Sequence, residues 1–112
     1  MRFNRKGITL RLKNKVAIIT GSGGGIGRAV ALRYAKEGAK CVVVDINGKN
    51  ADLVAKEIKS FSGNVLNLEM DVREQSDIDK TINLTLKSFN KIDILFNNAG
   101  IFDMAQIGRA HV

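Results

Sequence analysis

At 112 residues and 45% hydrophobic composition, the chain has the size and apolar content of one globular domain able to bury a core. No stretch reaches the ~18 uninterrupted apolar residues of a membrane span, and no hydrophobic signal segment stands at its start, so a membrane is not an expected partner. The net charge of +7 sits at the ends: six of the 18 basic residues lie in residues 1–15, which hold no acid, and Arg109 is a seventh. The remainder carries 11 bases against 11 acids. A body this neutral argues against nucleic acid as a partner. The basic start reads as a solvated extension, with an organelle leader or a phosphate-touching arm as the alternatives.

In chain order, the apolar run 16–20 predicts a strand buried on both faces. Residues 26–37 predict a helix with Ala29, Val30, Leu32 and Ala35 as its apolar positions, ended by Gly38. A second buried strand is expected at 41–44, closed by Asp45. The single cysteine, Cys41, lies within it; one cysteine excludes an internal disulfide, reads as packing, and fits a reducing, cytoplasmic setting. A second helix is expected at 50–61, with Ala51, Val54, Ala55, Ile58 and Phe61 on one stripe and Gly63 after it. Strand three is expected at 65–70. The third helix is expected at 76–89, where Ser76 and Asp79 have the spacing of a capping box and Ile78, Ile82, Leu86 and Phe89 face inward. A fourth strand is expected at 92–96. Strand–helix alternation with short turns implies parallel strands joined by right-handed crossovers, hence an α/β fold: half of a doubly wound sheet.

The first strand breaks into Thr20-Gly21-Ser22-Gly23-Gly24-Gly25-Ile26-Gly27. A buried strand that turns on glycines and opens a helix forms a phosphate cradle. Gly21 permits the tight turn, Gly25 has no side chain to block a pyrophosphate, and Gly27 lets the helix sit close to the strand. The first amides of the helix lack intrahelical partners and attract an anion. Gly21, Ser22, Gly25, Ile26 and Gly27 are therefore candidate cofactor contacts. Asp45 follows Gly25 by 20 residues at the end of the second strand. A carboxylate there accepts hydrogen bonds from an adenosine ribose and repels a 2′-phosphate, which favours NAD over NADP. Ile46, Asn47 and Gly48 follow it, with no adjacent cation. An exposed Asp opening a turn is the other reading of this residue.

Asp71-Val72 stands just after the third strand and Asn97-Asn98-Ala99-Gly100 after the fourth. On their own these stretches read as polar strand-end turns. With the glycine turn and Asp45 they resemble the short-chain dehydrogenase/reductase family, over residues 12–104. The resemblance implies the N-terminal half of a Rossmann sheet, truncated after the fourth strand. It implies that Asp71 bonds the adenine amino group and that the Val72 backbone flanks the ring. The backbone of Asn98, Ala99 and Gly100 would approach the ribose and nicotinamide, and Asn97 would brace the sheet. It also implies an NAD-dependent oxidoreductase of a small-molecule secondary alcohol or ketone, and a homo-oligomeric parent, dimer or tetramer.

Such enzymes use a Ser and a Tyr-x-x-x-Lys pair, in which Lys lowers the pKa of the proton-relaying Tyr. The only tyrosine here is Tyr34, and Gly38 stands four residues on. The chain is thus expected to hold the cofactor half alone, to lack activity by itself, and to leave no catalytic residue within its 112 positions. Residues 107–112, Ile-Gly-Arg-Ala-His-Val, match one reading frame of a common sequencing-adapter oligonucleotide, so the natural sequence is expected to stop near Ala105. Ile101-Phe102-Asp103-Met104-Ala105 resembles the corresponding segment of sorbitol-type polyol dehydrogenases. A 3-oxoacyl-carrier-protein reductase is the close rival, and a non-catalytic NAD-binding module is a reading of another class. No metal is implied.

Overall fold

A computed structural model describes residues 10–61 and 63–99. Seven elements alternate along them: β1 (Val16–Thr20), α1 (Gly25–Lys36), β2 (Lys40–Asp45), α2 (Gly48–Lys59), β3 (Val65–Glu69), α3 (Gln75–Phe89) and β4 (Ile94–Asn97). The strands form one parallel sheet in the order β3-β2-β1-β4. Ile18 pairs with Val42 on one side and Leu95 on the other.

Strand side chains alternate between faces, and both faces are covered. Ala17, Ile19, Cys41 and Val43 pack with Ala31 and Ala35 of α1 and Val54, Ala55 and Ile58 of α2. Ile18, Val42 and Val44 point the other way, onto Met70 and onto Ile78 and Ile82 of α3. This two-sided burial explains why β1 and β2 read as continuous apolar runs rather than alternating ones. The expected half of a doubly wound α/β sheet is the observed one.

Several element details differ from the sequence expectation. In α1 the face on the sheet is Gly27, Ala31 and Ala35, four residues apart, while Ala29 is exposed. Small side chains bring the helix close, so the residues that pack are the ones that add least bulk. Helix α2 starts earlier than expected because the Asn47 side chain caps it, accepting from the Asn50 amide at 3.2 Å. Phe61 lies beyond the helix end and is 38% exposed, with Lys36 Nζ 5.7 Å from its ring centroid. Ser76 does not cap α3. The helix begins one residue earlier, at the Glu74 carbonyl, which accepts from Asp77 and Ile78. Asp79 instead accepts from the Gln75 side chain at 2.8 Å. The inward face of α3 also includes Thr81 and Thr85, whose hydroxyls donate to carbonyls one turn back, at 2.9 and 2.7 Å; the internal bond makes a hydroxyl buriable. Strand β4 starts at Ile94; just before it Asp93 bonds Val16 twice, its amide donating to the Val16 carbonyl and its carboxylate accepting from the Val16 amide, each at 2.8 Å.

Candidate cofactor site

The site grows from the carboxyl ends of the strands, where the order reverses between β1 and β4. Gly21 leaves β1 with φ +61°, and a Cβ there would lie 3.0 Å from Asn98 Nδ2. Gly27 is the tightest point: a Cβ would stand 2.1 Å from the Gly21 carbonyl oxygen. The start of α1 is therefore seated directly on the turn. Gly25 has φ +54° and nothing within 4 Å of a Cβ, so the space ahead of the helix is open. Ile26 is 69% exposed, on a helix with no acidic residue in its first turn. Ser22 stands apart from these. It is fully buried, and both its amide and its hydroxyl donate to the Val44 carbonyl at 3.1 Å, so it ties the turn to β2 instead of offering the open side a donor.

Asp45 closes the ring between the first two strand ends. Its Oδ2 accepts from the Gly23 amide and its Oδ1 from the Asn47 amide, each at 2.9 Å. A carboxylate offers about four lone-pair directions, so each oxygen keeps capacity for one more donor. A Cβ on Gly23 would meet Asp45 Oδ2 at 2.8 Å. Nothing in the glycine spacing marks that need, because it depends on where the second strand ends.

On the far side, Thr20 Oγ1 accepts from the Ala99 amide at 2.9 Å and lies 3.3 Å from Asn97 Oδ1. Asn98 Nδ2 donates to the Gly21 carbonyl at 3.3 Å. The Asn-Asn-Ala stretch is thus locked to the glycine turn, and Asn97 sits within β4 opposite Thr20. Gly100, residues 101–105 and residues 107–112 lie outside the described residues, as does most of the basic start.

Between these walls opens a cleft of about 390 Å³. Val44, Ile46, Met70 and Val72 line its apolar part, Asp45, Asp71 and Arg73 its charged part, and Gly21 and Ala99 complete it. Asp71 is held by Arg73: Oδ1 accepts from the Arg73 amide at 2.9 Å and its Nε at 3.0 Å, and Oδ2 from Nη2 at 2.8 Å. The guanidinium, and then the Arg73 amide, bring the carboxyl down from 3.8 to about 2. Arg73, Ile46 and Met70 join the site without having been expected there; an arginine two residues after an acid at a strand end is the only signal the sequence offers. The candidate residues Gly21, Asp45, Asp71, Val72 and Ala99 converge on this cleft. Tyr34 packs partly buried against the core, and burial pushes the Cys41 thiol up to about 12. Among the described residues no group of His, Cys, Asp and Glu could hold a metal, and no helix is long and apolar enough to cross a membrane.

A parallel sheet in this order, with a glycine turn feeding a helix and a cleft at the strand ends, defines a Rossmann-type α/β unit. The sequence model of the family described as short chain dehydrogenase matches residues 15–111. The chain belongs to that family. It is 43% identical over 98 residues to sorbitol dehydrogenase of Cereibacter sphaeroides, covering 88% of this chain and 37% of that enzyme. It is 37% identical over 92 residues to 3-oxoacyl-(acyl-carrier-protein) reductase of Thermotoga maritima, covering 82% of this chain and 37% of the other. Among solved structures, NAD+-bound xylitol dehydrogenase superposes with a TM-score of 0.77 at 33% identity, over 80% of this chain and 35% of that one. The chain thus spans little more than a third of the length of these relatives.

Proposed function

We propose that the full-length protein is an NAD-dependent oxidoreductase of a secondary alcohol or ketone, with a polyol as its substrate class, and that this chain is the cofactor-binding half. The observation that carries the reading is Asp45: a carboxylate clamped by two loop amides at the mouth of the glycine turn, with no cation directly after it. In this reading the amides at Gly25, Ile26 and Gly27 face the diphosphate, and the two oxygens of Asp45 accept the 2′ and 3′ hydroxyls of the adenosine ribose. Asp71 and the Val72 backbone address the adenine. The Asn98 and Ala99 backbone lies toward the nicotinamide side. The residues present fit the group: the space ahead of Gly25 is open, and the cleft of about 390 Å³ is in the range of small-molecule sites. NAD, when bound, supplies the hydride acceptor. The proton relay and the substrate pocket come from outside these 112 residues, and the assembly is homo-oligomeric in a reducing compartment such as the cytoplasm.

The similarity to a 3-oxoacyl reductase favours one rival reading of the same class. Affinity for NADH against NADPH separates the two. We expect a clear NADH preference. Asp45→Ala should weaken NAD binding by roughly tenfold to a hundredfold, the value of charge-assisted hydrogen bonds, while sparing NADPH. A native NADPH preference would overturn the polyol reading. Undiminished NAD affinity in the Asp45 variant would overturn the site. A non-catalytic NAD-binding module, the reading of another class, is dismissed by a Tyr-x-x-x-Lys pair further along the reading frame.

A further inference from the structure

The apolar cleft contains one charged contact that the dinucleotide reading does not explain. Arg73 is a flexible, largely exposed side chain (72%), yet it places three donors on Asp71, which is 22% exposed. Two of the three land on Oδ1, which uses both of that oxygen's lone pairs. Only Oδ2 retains acceptor capacity. The grip is a fork of guanidinium donors in a fixed plane, which restrains rotation of the carboxylate as well as neutralising it. Asp71 is also held from behind: its own amide donates to Asp77 Oδ2 at 3.0 Å. Its remaining acceptor capacity is therefore on one oxygen, of a residue that lines the cleft together with Val44, Ile46, Met70 and Val72.

A flat heterocycle between those walls meets one acceptor at one place. A base with an exocyclic amino group satisfies it. A base with a carbonyl at that position sets one acceptor against another, with both desolvated, and is disfavoured.

We propose that Arg73 is a positioning residue that sets base selectivity, fixing Asp71 as an acceptor so that the cleft takes a 6-aminopurine nucleotide and rejects a 6-oxopurine one. The proposal rests on the dinucleotide reading above and assigns to Arg73 a role that reading lacks. Freed of Arg73, the carboxylate rotates, and its discrimination weakens although Asp71 itself remains.

The test compares NAD with nicotinamide hypoxanthine dinucleotide, its 6-oxo analogue, by calorimetric titration of the full-length protein. Wild type should prefer NAD by about tenfold, the value of one hydrogen bond to a charged group. Arg73→Met should bring the ratio below about threefold, and Arg73→Lys, which keeps the charge but not the fork, should fall between. Thermal unfolding of each variant checks that it is folded. A merely structural arginine would lower both affinities together and leave the ratio unchanged, and that outcome overturns the proposal. So does a wild type that binds both dinucleotides equally well, a result that leaves the functional reading standing. A wild type that binds neither overturns the functional reading, and this inference falls with it.

Discussion

Glycines at neighbouring positions have unlike tasks, and the difference is measurable. A Cβ on Gly27 would stand 2.1 Å from the backbone oxygen of Gly21, whereas nothing lies within 4 Å of one on Gly24, whose backbone is extended. Gly27→Ala must push the helix off the turn. We expect it to cost about 1–3 kcal/mol of stability, as overpacking does, and to abolish dinucleotide binding. Gly24→Ala should change stability by no more than about 0.5 kcal/mol. Chemical denaturation of the two variants checks both. Asp71 makes a pH prediction. Its folded ionisation value, about 2, lies below the ordinary 3.8. The pair with Arg73 therefore stabilises the fold above the ordinary value, and that contribution is lost as pH falls from 3.8 toward 2. Acid unfolding followed by circular dichroism should be less steep through this window in Arg73→Met. The glycine pattern and Asp45 are legible in the sequence because they sit at fixed distances from a strand end. The roles of Gly23 and Arg73 are not, because their reasons lie in a second loop and in a cleft wall.

At the scale of elements, periodicity locates every strand and helix, while side-chain bonds set the ends. Asn47 starts α2 by accepting the Asn50 amide; Asn47→Ala should cost about 1 kcal/mol, read from the urea midpoint. In α3 the capping pattern at Ser76 is outcompeted by the turn at Glu74, a contest the local sequence leaves undecided. The exposed pair Arg28–Glu57 bridges α1 and α2. It couples two helices through residues 29 apart in the chain, and nothing in either helix's own sequence marks the other as its neighbour. Alanine at position 29 suggests a packed residue by hydropathy. Helix rotation turns Ala29 to solvent, since Gly27, Ala31 and Ala35 already form the close face.

For the whole molecule, the decisive feature is that α1 and α2 cover one face of the sheet and α3 the other. With β1 and β2 in the interior of the sheet, the cleft opens at the carboxyl ends of the strands, lined mostly from the ends of β2 and β3. Two isoleucines display the consequence: Ile18 is fully buried and Ile26 is 69% exposed. Ile18→Ala should cost about 2–5 kcal/mol, whereas Ile26→Ala should leave the melting temperature unchanged and bear only on the mouth of the glycine turn. Differential scanning calorimetry of the two variants tests this contrast. The sequence alone determined the α/β alternation, the parallel sheet, the glycine turn and the place of Asp45, since each follows from hydrophobic period or from spacing along one crossover. Tertiary structure alone decided that Ser22 faces inward, that Asp45 bridges two loops and that Arg73 grips Asp71 beside an apolar cleft. These depend on distances between strand ends far apart in the chain, and local propensity carries no information about them.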